Sequence, residues 1–342
     1  MTGADACQTG SNNFAFVAFV TPGARWLSPV AAISFASMPK SWSLPLAGCL
    51  VVMTAGGCGV DQRSLGSFPA QPIDGGALAD AWVPFGAVTL HSALAAAPGS
   101  QADPTLTADE LELYYTTSTN SGGTYDIWVC QRASTTAAWG TCTKVVELSS
   151  DTALDETPEV SADGLTIYLA SDRPGVAAGE HVWVSRRATR TDPWGQPVQV
   201  TEIIVGDKDL SPTLQQAQLL MVFSSQLGTG DFNLYATTRA STADPWGAPT
   251  LLTELNSSAY DWDPALYQGG TSIVFASRRL NTSNSLFDAT RASLADKFSV
   301  PQPATELNVN DDGDPWLSDD GHHIVFDSRR GGGPSKIYEA WR

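Results

Sequence analysis

The chain has 342 residues, 42% of them hydrophobic, which allows a large core in one or two domains and excludes general disorder. Its 36 acidic and 19 basic side chains give a formal charge of −17 at pH 7. This balance argues against nucleic acid and anionic lipid surfaces as partners, because Lys and Arg at phosphates drive binding there.

In chain order, the first readable element is an address label. Residues 38–60 place Lys40 ahead of an apolar stretch, and small residues run up to Cys58. That is the layout of a bacterial signal peptide, and a cysteine at the junction makes residues 38–58 an expected lipoprotein-type signal with Cys58 lipidated. Cys49 is the alternative. Leu46-Ala47-Gly48-Cys49 matches the usual lipobox better, but only about eight apolar residues precede it, the short end of the expected range. A single transmembrane anchor near residues 44–60 is marginal in length and broken by glycines. With Met38 as the start, residues 1–37 are expected to be a mis-called extension. Residues 59–80 have the Gly, Pro and polar content of a flexible linker.

The body, residues 81–342, is five copies of one unit. Pro104, Pro158, Pro212, Pro264 and Pro315, at intervals of 54, 54, 52 and 51, each open an apolar run. A second run follows, ending at Arg132, Arg187, Arg239, Arg291 or Arg342. A third element, WGTCTKVVEL, WGQPVQVTEI, WGAPTLLTEL or FSVPQPATEL, follows four of these. Each unit thus carries four short strands, a to d, and units of about 40–50 residues with four strands read as propeller blades. The expected fold is all-β, a five-bladed β-propeller. The fifth unit, ending KIYEAWR, lacks strand d, and residues 85–94 supply a match: Phe85-Gly86 aligns with the Trp-Gly pairs, and Leu94 with Leu148, Ile203, Leu255 and Leu307. A ring closed by that N-terminal strand leaves no unpaired edge in the last blade. Cys130 and Cys142 stand on facing strands of one hairpin, so a disulfide and an oxidising compartment are expected.

The repeats resemble TolB-like, WD-repeat-like propeller units of bacterial envelope proteins. The shared pattern is clearest in Ser161-Ala162-Asp163-Gly164 with Ser171-Asp172-Arg173-Pro174-Gly175, and again in Ser318-Asp319-Asp320-Gly321 with Ser328-Arg329-Arg330-Gly331. The resemblance covers residues 85–342 and implies the fold. TolB's separate N-terminal α/β domain and sixth blade are not visible, so its partners do not transfer.

The d–a and b–c loops of a propeller share one face, and here that face is expected to be acidic, with Asp155, Asp209, Asp261, Asp263, Asp312 and Asp314 as candidate ligand or partner contacts. Trp262 and Trp316 join them because they break the repeat beside these loops. The competing reading is ion pairing. Acid three places before the proline and arginine at the end of strand b are both present in blades 2, 4 and 5 and both absent in blade 1, and only blade 3 breaks the match. Ca²⁺ at the acidic mouth is a further reading; otherwise no cofactor is expected. Five-bladed glycosidases of the arabinanase and xylosidase type also begin strand a with Asp-Pro, as Asp103-Pro104 does, which makes Asp103, Asp263 and Asp314 the carboxylates of an enzymatic alternative. In that family the acid is a Glu on the third blade, where this chain has no glutamate until Glu254. No catalytic residue or metal ligand set is assigned. The expectation is a monomeric, non-catalytic lipoprotein, anchored in the periplasm or at the cell surface, that binds an envelope protein or glycan.

Overall fold

Each repeat proline lies in the first strand of a four-stranded antiparallel sheet, and the five first strands line one central channel. The computed structural model describes residues 83–95, 97–118 and 124–342, together with an antiparallel pair, Val17–Ala18 with Val51–Val52. The chain divides into two units, Met1–Ile73 and Asp74–Arg342. Apart from that strand pair, the expected extension (1–37), signal (38–58, with Cys49 and Cys58) and linker (59–80) lie outside the described residues.

Strands a to d of blade 1 are Gln101–Leu106, Glu112–Thr117, Asp126–Gln131 and Thr143–Lys144. Those of blade 2 are Asp155–Val160, Thr166–Ser171, His181–Arg186 and Val198–Gln199, and those of blade 3 are Lys208–Leu214, Leu220–Gln226, Phe232–Thr238 and Thr250–Leu251. Blade 4 has Asp261–Tyr267, Ser272–Ser277, Ser285–Thr290 and Gln302–Pro303. Blade 5 has Asp312–Leu317, His323–Ser328 and Lys336–Trp341, and its strand d is Thr89–Leu90. Closure is in register: Tyr338 pairs with Leu90 and Glu339 with Thr89. The Gly86 N–H donates to the Trp341 carbonyl at 2.8 Å, as the N–H groups of Gly140, Gly195 and Gly247 donate to Gln131, Arg186 and Thr238. Leu94, Leu148, Ile203, Leu255 and Leu307 are all fully buried.

The arginine ending each strand c is a clamp within its own blade. Its Nε donates to a carbonyl of the a–b turn: Glu110, Gly164, Gln218, Gly270 or Gly321. Its guanidinium lies over the aromatic ring that opens strand d, 4.2 to 4.5 Å from Trp139, Trp194, Trp246, Phe298 and Phe85. The five turn residues that accept these bonds all have positive φ, between 55° and 84°. The middle of each strand b is apolar and buried, with Phe223, Phe275 and Phe326 fully enclosed. These side chains fill clusters between neighbouring blades, such as Tyr114, Ile127, Ile167, Leu169 and Trp194, each contributing roughly 1.5–3 kcal/mol by burial. Cys130 and Cys142 are bonded as a disulfide linking strand c of blade 1 to the approach to strand d.

Candidate functional site

Strand a breaks its pairing at the same point in every blade. In blade 1 the register jumps from Ala102 opposite Thr116 to Thr105 opposite Tyr114, and the other four blades repeat the jump. This is a β-bulge, with two residues opposing one and the strand bent. The residue before the proline occupies the left-handed region in all five: Asp103, Thr157, Ser211, Asp263 and Asp314 have φ between 46° and 52°. Such a conformation is uncommon outside glycine and costs of order 1–3 kcal/mol. It turns these side chains toward the channel.

There they form a ring in which each blade holds the next. The Thr157 N–H donates to Asp103 at 3.3 Å, and the Ser211 N–H to the Thr157 hydroxyl at 3.1 Å. The Ser211 hydroxyl donates to Asp263 at 2.8 Å, and the Asp314 N–H also serves Asp263. Asp314 and Asp103 complete the circle, carboxyl to carboxyl. A second layer lies toward the a–b turns. Glu159 accepts from the Leu214 N–H at 2.8 Å and from the Thr105 hydroxyl at 3.0 Å, and so ties blade 2 to both neighbours.

Asp327, on strand b of blade 5, joins the first ring. It stands opposite Gly313, where a Cβ would meet its carboxylate at 3.1 Å and that of Asp263 at 3.6 Å. It contacts Asp314 and accepts from the Ser335 hydroxyl. Four carboxyl groups therefore crowd together deep inside the protein, exposed only to the narrow channel. Burial, reinforced by the neighbouring charges, raises all four: Asp263 to about 6, Asp327 to about 8, Asp314 well above the usual carboxylate range, and Asp103 in the same direction. Glu159 is pushed up to about 7 by burial alone, its hydrogen bonds opposing. Beside Asp103, burial and the Glu180 charge push Glu156 well up, while Lys208 Nζ holds Glu180 at 2.9 Å.

The channel cavity has a volume of about 100 Å³ and runs from this ring to the a–b turn face, past Glu159, Thr213 and Trp316. A channel of that volume has room for several waters. Glycoside hydrolysis places its two carboxyl groups about 5–9.5 Å apart, across the bond to be cut. Here Asp314 touches Asp103, Asp263 and Asp327 directly. The arrangement can share protons among carboxyls. Among the described residues, no group of three or more His, Cys, Asp or Glu side chains is arranged to hold a metal ion.

Of the residues singled out from sequence, Asp263 and Asp314 meet at the ring, with Asp103 beside them. Asp155, Asp209, Asp261 and Asp312 are fully buried and turned into the blades. Asp155, Asp261 and Asp312 receive Arg173, Arg279 and Arg330, whose Nη2 atoms also reach the carbonyls of Leu148, Leu255 and Leu307. Asp209 receives His181 of blade 2 at 2.8 Å, which is why blade 3 dispenses with the arginine. Trp262 is half-buried against Phe232, Tyr260 and Arg278, and Trp316 packs on His323 beside the channel. Sequence reasoning counted Glu156 among the acids of the d–a and b–c loop face but missed Asp327, Glu159, Glu180 and Lys208. The available signal was departure from the repeat: Thr116, Ala170, Ser224 and Ala276 stand where blade 5 has Asp327.

No family model and no curated protein sequence matches this chain. Among solved structures the fold is similar to an endo-arabinase from Bacteroides thetaiotaomicron, with 15% identity over 75% of this chain and 98% of that one and a TM-score of 0.54. It is also similar to a thermostable family-43 glycoside hydrolase, with 11% identity over 71% and 89% and a TM-score of 0.50. TolB from Acinetobacter baumannii matches at 14% identity and a TM-score of 0.40, over 60% of this chain, which spans 46% of that protein's length. At such identities the likeness speaks for the propeller alone.

Proposed function

We propose that the propeller is a non-catalytic binding scaffold and that its partner is a protein. The observation that carries this is the face built by the b–c and d–a loops. The b–c loops of blades 2, 3 and 4 each hold an aliphatic side chain in the open, Val176 at 87%, Leu227 at 58% and Leu280 at 59% exposure, and the d–a loop of blade 5 adds Val309 at 67%. Exposed Asp172, Asp207 and Asp231 lie on the same loops. One exposed aliphatic residue is ordinary, but recurrence on one face of successive blades is the pattern of an interaction surface. A glycan would call for open aromatic platforms, whereas Trp262 and Trp316 are engaged with their own neighbours. Taken with the signal-like stretch, the scaffold is a lipoprotein tethered through Cys58, or Cys49, in the periplasm or at the cell surface. Among the described residues no helix is long and apolar enough to cross a membrane.

Photocrosslinking residues placed singly at Val176, Leu227 and Leu280 in intact cells test this, with Leu294 and Val300 on other surfaces as controls. A defined protein adduct at the first three sites and not at the controls is expected. Adducts equal to controls would refute the reading. The hydrolase alternative rests on the fold likeness to the endo-arabinase and on Asp103-Pro104. It requires sugar release from arabinan or xylan, which the close-packed carboxyls do not support.

A further inference from the structure

The seams between blades are not equivalent. At the axial ring, the seams from blade 1 through blade 5 are bridged by fixed donors: the Thr157, Ser211 and Asp314 N–H groups and the Ser211 hydroxyl. The seam that closes the circle, from blade 5 back to blade 1, brings Asp314 against Asp103. Neither carboxylate has a fixed hydrogen, so this contact is a hydrogen bond only when one of them carries a proton. Asp314 also meets Asp263 and Asp327, and behind Asp103 stand Glu156 and Glu180 with Lys208, and the Tyr125 phenol.

A second contact at the same seam has the same requirement. The buried His323 of blade 5 sits between Glu110 on the a–b turn of blade 1 and Glu339 of its own blade, with Nδ1 and Nε2 each 3.3 Å from a carboxylate oxygen. Its ring stacks on Trp341 at 3.6 Å. Each nitrogen lies within ion-pair distance of a carboxylate, and only the imidazolium carries the positive charge and the hydrogen on each nitrogen that attract both. The other charged or titratable groups here are Arg132, 3.4 Å from Glu110, and His91, 3.7 Å from Glu339. This is also where the two ends of the propeller chain meet: the Gln101 N–H donates to the Ser335 carbonyl at 2.9 Å, and Lys336 Nζ to the Ala97 carbonyl at 2.7 Å.

We propose that blade 5 is latched to blade 1 by protons, with ring closure requiring Asp314 as the neutral acid and His323 as the imidazolium. The electrostatics run the same way. Burial and its neighbours hold Asp314 well above the carboxylate range, while His323 is raised because Glu110 and Glu339 outweigh its burial; His91 is pushed down to about 4 by burial and is neutral. A raised value means that the stabilisation is complete below the unfolded-state value and is lost as pH climbs through the folded one. The His323 contribution is therefore lost as pH rises above the ordinary imidazole value of 6.5, and that of Asp314 as pH climbs from the carboxylate range through its raised value.

Hydrogen–deuterium exchange on the full chain tests this, comparing protection factors at pH 6 and pH 9 after correction for intrinsic exchange. Peptides covering 85–106 and 336–341 are expected to lose at least tenfold more protection than peptides covering 220–238, whose apolar side chains report the seam between blades 3 and 4. Asp314→Asn supplies a permanent donor and is expected to abolish the axial part of that difference, and His323→Gln to weaken the seam already at pH 6. Equal losses at both seams, or an unchanged difference in Asp314→Asn, would overturn the proposal. Should Asp314→Asn fail to fold, Asp103→Asn places a donor on the same contact, and the wild-type comparison decides without either variant.

Discussion

The arginine clamps allow an internal comparison, because one position is repeated with different partners. Arg187 stacks on Trp194 at 4.3 Å, donates to the Gly164 carbonyl at 2.7 Å and, through Nη2, to the buried Glu112 at 2.6 Å. Arg239 makes the same stack, 4.2 Å from Trp246, and the same carbonyl bond at 2.7 Å, with no ion pair among the described residues. Arg239→Ala therefore loses a charge-assisted hydrogen bond, about 1.5–3 kcal/mol, and a cation–π contact of about 0.5–2 kcal/mol. Arg187→Ala loses these, a further Nη1 bond to the Arg190 carbonyl at 2.9 Å, and a partner of a buried carboxylate. Breaking a buried pair outright costs about 3–5 kcal/mol, but Glu112 keeps Gln131, Tyr114 and Arg190, so the excess is about 2 kcal/mol. For a domain of this size that separates the two variants by about 4–8 °C in Tm. Urea unfolding of both variants, and of Arg187→Ala combined with Glu112→Gln, measures the gap. Adding Glu112→Gln should narrow it. Equal costs at the two positions, or no recovery on neutralising Glu112, would refute the assignment.

Two further outcomes follow from the same geometry. If residues 85–94 are a genuine fourth strand, Leu94→Ala should cost as much as Leu148→Ala, about 2–5 kcal/mol each by urea unfolding, and a Leu94 variant near wild type would mean that the ring does not depend on that segment. Glu159→Gln should remove part of the pH dependence of stability. Burial raises Glu159 from 4.5 to about 7, so its carboxyl stabilises fully below pH 4.5 and the contribution is lost by about pH 7, a change of about 3 kcal/mol. The variant's stability relative to wild type should climb over that window and be flat above it; parallel pH curves would show that Glu159 is not held in that environment.

The blades could be read from the chain because each is a local structure. Strands a, b and c pair with sequence neighbours, so the proline-led runs, the arginines and the Trp-Gly pairs recur at a countable period. The same counting placed Phe85 and Leu94 in blade 5, hundreds of residues from the strand they complete. The arginines' partners could not be counted, because a ring stack and a turn carbonyl leave no charge pattern. The site was hidden for a different reason. Strict alternation puts Asp155 and Thr157 on one face of strand a, yet Asp155 is buried in the blade while Thr157 turns to the axis. The bulge at the residue before each proline, with its positive φ, separates them. Its effect on facing depends on pairing with strand b, which the linear order does not display. Asp327 reaches the ring only because Gly313 lies across from it. Sequence alone thus determined the ring of blades and how it closes. Tertiary structure decided which acids meet at its axis and that they meet closely enough to need protons.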